Sequence, residues 1–360
     1  VAVHEQKRLG ILGIGTYLPE EVRPNEWWPP EIIACWREQA KQKNRADDPA
    51  GAPPEGPVRA AIESLAGDIF GGARERRVMP KGMEGSDMEI AAGKQALAAA
   101  GLAPSDIDLL LVCSFVPDVL GTNAACTVHE GLGLPQAGLC MSIDSNFNGF
   151  HHQMALAESL IATGRARYGL LIQSASISRL LSPDQHYSPW FGDGATALVV
   201  GPVADGFGIL GRAHRADGTL QRALLAGVPG GMWFDEGRAI LYSDRPERQR
   251  EVLARVCASS SDVIASALAE AEFGTDDVDF YAGHQGTWWY RRVTQENAGL
   301  GAARALDTFE EFASMAACNI PLILSLALER KLIDDGDIVV THAGGNGSTW
   351  SALVLRWGKG

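Results

Sequence analysis

Hydrophobic positions in this chain fall into two alternating textures. Short, almost continuous apolar runs are flanked by glycine: LGILGIGTYLP (9–19), IDLLLVCSF (107–115), GLCMSID (138–144), YGLLIQSAS (168–176), GATALVVG (194–201), DIVVTHA (337–343) and SALVLRW (351–357). Runs of this length without polar alternation predict strands buried on both faces. Between them lie longer segments rich in Ala, Leu, Glu, Gln and Met, which predict helices over 31–42, 88–101, 122–133, 149–164, 246–272, 288–298 and 316–331. A further strand is predicted at 278–283. Strands interleaved with helices imply α/β layering. Residues 28–70 break the rhythm, and the stretch 46–57, rich in Pro, Gly, Ala and Asp, reads as a loop excursion.

The pattern also repeats. LAAAGLAPSDIDLLLVC (97–113) lies over LAEAEFGTDDVDFYAGH (268–284) without a gap, pairing Leu97 with Leu268, Asp106 with Asp277 and Asp108 with Asp279. GDGATALVV (192–200) returns as GNGSTWSALVL (345–355) with two extra residues. So long a period excludes a solenoid and predicts two similar halves, 1–202 (with the excursion at about 28–70) and 203–360, related by a pseudo-twofold axis. The first copy brings Cys113 to a strand end and the second brings His284 to the matching place, so a reactive cleft is expected at the junction.

Charge and cysteine usage narrow the classes. A formal charge of −13 leaves no basic footprint for nucleic acid. No apolar leader opens VAVHEQKRLG and no stretch is expected to span a membrane, so the chain reads as cytoplasmic. Six scattered cysteines include no CxxC pair, and no metal site is expected. Neither GIGTYLP nor GGNGST matches a dinucleotide or P-loop pattern, and no GxSxG elbow appears.

The sharpest local signal is SIDSNFNGF (142–150), a strand running through a tight turn into a long apolar helix. Such a junction sets a side chain over unpaired helix N–H groups, where negative charge is stabilised. Here the chain resembles the thiolase-like condensing enzymes, specifically 3-oxoacyl-[acyl-carrier-protein] synthase III and its relatives in secondary metabolism. The likeness rests on 142–150 together with GIGTYLPEEVRPNEWW, FGGARERRV (70–78), FGDGATALVVG, HQGTWWYRR (284–292) and GGNGSTW (344–350). It implies a layered αβαβα thiolase fold, a homodimer, and acyl-CoA or acyl carrier protein as partner, with CoA or phosphopantetheine as the substrate's carrier and no other cofactor. Polyketide or antibiotic biosynthesis is the implied setting.

The resemblance also assigns positions. The nucleophilic cysteine's place is held by Phe147, the catalytic asparagine's by Ser314, and only His284 keeps its identity. Gly345 and Asn346 fall where an oxyanion turn is expected. Gly121 and Thr122 fall at the acyl-pocket lip, and Arg291 and Arg292 at the channel mouth, with Arg76 and Arg77 as weaker candidates there. Ser314 has an alternative reading as a helix N-cap. Cys113, His151 and His152 read as packed residues. A benzyl group has no lone pair with which to attack a thioester. Three readings therefore stand: a substitution in an ordinary condensing enzyme, a natural acyltransferase that uses His284 as base without a covalent intermediate, or a non-catalytic partner of an active paralogue.

Overall fold

The computed structural model describes residues 8–43, 56–65, 67–345 and 347–360, so most of the 46–57 excursion and Asn346 lie outside the described residues. The first half contains β1 (Leu9–Tyr17), β2 (Val22–Pro24), α1 (Pro30–Lys43), α2 (Gly56–Ser64), β3 (Glu75–Arg77), α3 (Gly85–Ala100) and β4 (Leu109–Ser114). It continues through α4 (Ala125–Leu132), β5 (Leu139–Ser142), α5 (Gly149–Ala162), β6 (Gly169–Ala175) and β7 (Gly194–Pro202). The second half begins with β8 (Gly208–Ala216), β9 (Leu225–Gly227), β10 (Ile240–Tyr242), α6 (Pro246–Ala271), β11 (Phe280–Gly283) and α7 (Tyr290–Asn297). It closes with β12 (Arg304–Ala305), α8 (Phe309–Phe312), α9 (Asn319–Glu329), β13 (Ile338–Gly345) and β14 (Thr349–Arg356).

The two main sheets have the same topology. One runs β1-β7-β6-β4-β5 and the other β8-β14-β13-β11-β12. In each, the strand carrying the echoed segment (β4 or β11) pairs parallel with both neighbours, and the next two pairings are antiparallel. The echoed aspartates do the same work twice. Asp106 Oδ2 accepts from the backbone of Ala103, and Asp277 Oδ2 from that of Gly274, each closing the turn before its strand. Asp108 accepts from the backbone of Tyr168 at the start of β6, and Asp279 from that of Ile338 at the start of β13, each tying two parallel strands together.

Alternation along the strands builds five layers, because successive side chains leave a strand on opposite faces. Leu109 and Leu111 of β4 point inward to α5 and α9, which lie back to back between the sheets through Phe150, Met154, Ile320, Ile323 and Leu324. Leu110 and Val112 point outward to α3 and α4, against Met88, Ala92, Ala96 and Val128. In the second half, Tyr281 and Val340 face outward to Val263, Ile264 and Ala267 of α6. The result is the expected αβαβα thiolase-like arrangement.

Several short elements were not anticipated, nor were two larger ones, α2 and β8. The polar surroundings of α2 hid a helix that docks Val58 against Val256, Trp289 and Tyr290. The strand β8 ends in Arg-Ala-His-Arg-Ala, too polar to read as a buried strand, yet it pairs along the whole of β14. The helix predicted over 246–272 is present as α6, and its stretch Glu247–Ala271 is long and apolar enough, by length and composition alone, to cross a membrane. Its apolar residues instead cover the outer face of the second sheet.

Close helix–strand contact is set by glycine at matching places. A Cβ on Gly15 of β1 would lie 2.2 Å from the Ala92 carbonyl of α3, and one on Gly211 of β8 would lie 2.2 Å from the Ala267 carbonyl of α6. Backbone cannot yield as a side-chain tip can. Gly15→Val and Gly211→Val are each expected to cost about 1–3 kcal/mol through overpacking, read as a lower urea midpoint. Gly218→Ala, where a Cβ meets nothing within 4 Å, should leave the midpoint nearly unchanged.

Candidate active site

The inner helices start at the junction of the halves, and that places the site. From β5 the chain passes through a single 3-10 turn, Asn146–Asn148, directly into α5. Asn146 takes the left-handed conformation, φ 45°, which asparagine tolerates better than most residues. Gly149 allows α5 to start against β4, since a Cβ there would meet Cys113 Sγ at 2.5 Å. Asn148 Nδ2 donates to the Thr349 carbonyl (2.8 Å) and Thr349 Oγ1 (2.7 Å), pinning the turn to the β13–β14 hairpin of the other half.

These constraints bring Phe147 and His284 together. Their ring centroids are 5.3 Å apart at 61°, an edge-to-face contact, and Phe115 closes the other side of Phe147 at 5.8 Å. Gly345 joins them: a Cβ there would lie 2.9 Å from that of Phe147. His284 follows the last residue of β11, and its backbone N–H donates to the His342 carbonyl (2.8 Å). Burial pushes its imidazole down to about 3, so the ring is neutral at any ordinary pH. Its Nδ1 is buried without a partner.

Two positioning residues escaped the sequence reading. Gln285 Nε2 donates to the Leu306 carbonyl (2.7 Å), while its Oε1 accepts from the backbones of Thr308 (2.8 Å) and Phe309 (3.0 Å). Asn319 Nδ2 donates to the Gln285 carbonyl (2.9 Å), and Asn319 Oδ1 accepts from the backbone of Met315 (2.6 Å). Together they lock the segment behind His284. The signal available in the sequence was Asn319 inside an apolar run, where an unsatisfied side chain would be costly; Gln285, just past a strand end, gave none.

The other sequence-assigned residues divide. Ser314 is fully buried in a segment bridged to Phe191, its N–H donating to the Trp190 carbonyl; its hydroxyl has no partner. It caps no helix, because the cap position before the 3-10 turn is Met315. Arg291 and Arg292 do not line the cavity; both bind Asp307, Arg291 through two contacts of 2.8 Å and Arg292 at 2.9 Å. Burial disfavours the Asp307 carboxylate, but the two guanidinium groups outweigh it and hold its pKa below the ordinary range. Arg292 also lies 4.1 Å over the Trp288 ring. A phosphate there would have to displace Asp307. Gly121 and Thr122 sit on an exposed loop, away from Phe147's cavity within this chain. Cys113 is a packed thiol, pushed up to about 12 by burial, and His151 is buried with Nε2 3.1 Å from Thr341 Oγ1.

A cavity of about 480 Å³ opens outward from Phe147 and His284. Gly344, Gly345 and Trp350 form its floor, Tyr187, Trp190 and Phe191 one wall, and Leu253, Val256, Trp289 and Tyr290 the other. The lining is mainly apolar and aromatic, as suits an acyl or thioether chain, with few polar groups at the blind end. The site can hold a carbonyl beside a neutral imidazole. It offers no nucleophile at position 147.

Residues 141–218 match the family described as 3-oxoacyl-[acyl-carrier-protein (ACP)] synthase III, and residues 268–357 match that family's C-terminal region. The beta-ketoacyl-[acyl-carrier-protein] synthase III of Geobacillus kaustophilus is 30% identical over 351 residues, covering 97% of this chain and 99% of its own. Synthase III 1 of Bacillus anthracis is 29% identical over 352 residues, covering 98% and 99%. Among solved structures, the synthase III of Thermus thermophilus superposes with a TM-score of 0.78 at 25% identity, covering 98% of this chain and 100% of its own. The priming β-ketosynthase of the R1128 polyketide pathway superposes at 0.80 with 22% identity, covering 99% and 98%, a likeness of fold.

His284 and His342 are both fully buried and both held at about 3, by desolvation in each case and by mutual repulsion for His342. The unfolded chain therefore binds protons that the folded chain refuses, and stability falls as pH drops from about 6.5 toward 3. Each imidazole should remove about 2 kcal/mol by pH 5. Thermal melts across pH 7.5 to 4.5 test this: His342→Gln should flatten the dependence, so that, relative to the unaltered chain, it stands about 2 kcal/mol better at pH 5 than at pH 7.5.

Proposed function

Because the chain belongs to the 3-oxoacyl-[acyl-carrier-protein] synthase III family, we propose that it binds an acyl thioester of CoA or acyl carrier protein and transfers the acyl group without an acyl-enzyme intermediate. The observation that carries this reading is the pairing of Phe147 with His284 at the blind end of an open cavity. The family's chemistry begins with a thiolate attacking the thioester, and carbon at position 147 cannot do so. What remains is a neutral imidazole beside the expected carbonyl position and the Gly345 turn next to it.

In this scheme the thioester carbonyl lies against His284 and the acceptor, an amine or alcohol, is bound beside it. The acceptor's lone pair attacks the carbonyl carbon and the C–S bond breaks. The acceptor proton passes through His284 Nε2 to the departing thiolate, giving free thiol and the ester or amide. Proximity supplies much of the acceleration, since both reactants are held in one cavity. Burial keeps the His284 ring unprotonated at rest, so it can accept the acceptor's proton, though as a weak base that leaves most of the acceleration to proximity. The departures at positions 147 and 314 favour a specialised biosynthetic role over initiation of fatty-acid synthesis.

A condensing enzyme with cysteine at position 147 is the second reading, favoured by the intact turn: Asn146 in the left-handed region, Gly345 in contact, His284 in place. The chain should also act as a homodimer. β5 is the edge strand of its sheet, with Leu139 46% exposed, and the neighbouring loop exposes Val119 and Leu120 by 53% and 64%. Pairing of two such edges would carry Gly121 and Thr122 to a neighbouring subunit.

Two measurements test these statements. With acyl-CoA and an amine or alcohol acceptor, initial rates should show intersecting, sequential kinetics and intact mass should show no acyl adduct. Phe147→Cys should gain the adduct and parallel, ping-pong kinetics. An adduct on the unaltered chain overturns the first reading; no adduct on Phe147→Cys with any acyl thioester removes both. Leu120→Arg together with Leu139→Lys should halve the native mass, and a dimer that survives both changes is assembled elsewhere.

A further inference from the structure

A second cavity, of about 300 Å³, lies on the far side of Phe191 from the thioester cavity, and the two share that ring as a partition. Its chemistry is unlike the rest of a chain with net charge −13. Three arginines, Arg23, Arg76 and Arg238, line it together with Trp27, Trp28 and Phe191, and no lining side chain is acidic among the described residues.

Arg76 is buried to 1% exposure, with Nε donating to the Pro189 carbonyl (3.0 Å), Nη1 to the Arg23 carbonyl (2.8 Å) and Nη2 to Asn25 Oδ1 (2.9 Å). These acceptors are neutral, so the positive charge is solvated but not cancelled. Burial, and then the nearby Arg23, lower it to about 10, and Glu75 and Glu26 only partly offset them. Arg23 stacks at 3.9 Å over Trp27 and meets Glu21 only at 3.4 Å on its outer side, while its Nε is buried with no partner. Arg238 reaches in from the β9–β10 connection and spends one nitrogen on the Leu181 carbonyl (2.9 Å). The buried carboxylate of Asp193 is committed to Ser178 and the backbone of Met79.

We propose that this cavity is a binding site for a small planar anion of the aromatic or heteroaromatic carboxylate class. Two like charges held together in a partly desolvated place are stabilised when an anion joins them. A carboxylate fits the planar fork of a guanidinium better than a point charge does. Phe191 and the tryptophan rings supply an apolar wall for an aromatic body. The volume, at the low end for ligand sites, admits one or two fused rings. The thioester cavity's role does not depend on this second site.

Calorimetric titration of the full chain with 2-naphthoate, 2-naphthamide and inorganic phosphate tests the assignment. The carboxylate should bind one per chain and quench tryptophan fluorescence, with the isosteric amide and phosphate each at least tenfold weaker. Arg238→Gln and Arg23→Gln should each weaken 2-naphthoate at least tenfold with unchanged thermal melts. Leu253→Trp, which fills the other cavity, should leave the affinity alone. Equal affinity for the amide, or retention in both arginine variants, overturns the proposal. Phosphate binding as tight as 2-naphthoate reduces the site to a bare-anion site and overturns the ligand class. Loss of binding in Leu253→Trp alone puts the ligand in the thioester cavity instead.

Discussion

The whole arrangement depends on seating the start of α5 against the end of β4. Gly149 makes that approach possible by carrying no side chain where Cys113 Sγ lies. Once seated, α5 runs back to back with α9 between the sheets, and the turn before it projects into the seam between the halves. Asn148 then ties this turn to Thr349 of the opposite half. The site is therefore defined by packing at the centre of the molecule rather than by a loop on its surface, which keeps it rigid and excludes water from its base.

Rigidity has an electrostatic consequence. His284 is set into a surrounding of rings and amides whose backbone contacts are already satisfied, and burial keeps its imidazole neutral. A neutral imidazole can donate through one nitrogen and accept through the other, which is what a thioester carbonyl and a moving proton require. Phe147 does not disturb this. Its ring packs edge-on to His284 and against Phe115, so the position is filled. The cavity beyond it stays open.

Duplication explains why so much positional information is shared between halves. Asp106 and Asp277, and Asp108 and Asp279, recur because the same turn and the same pair of parallel strands must be fastened in each sheet. The halves differ where chemistry is placed. Cys113 is sealed under α5, whereas its counterpart His284 opens to the cavity. The surface differs as well: β12, the edge strand matching β5, carries Arg304, the second half exposes Met232, Trp233 and Phe234 elsewhere, and the arginine-lined cavity draws mainly on the first half.

The buried strands, the inner helices and the twofold echo were legible in sequence because local burial imposes a periodicity that survives without knowledge of partners. The place of Phe147 at a strand–turn–helix junction was legible for the same reason. The sequence missed β8 and α2, whose polar residues reflect what each packs against rather than any local preference. It also placed Arg291 and Arg292 at a channel mouth, where tertiary structure instead gave them Asp307, sixteen and fifteen residues onward. Partner choice among charged groups depends on distances between elements, and those are decided only when the sheets and helices have closed on one another. What the residues along the chain determined by themselves was the architecture and the chemistry absent from position 147. What only the tertiary structure decided was which side chains meet, because each meeting joins segments far apart in the chain.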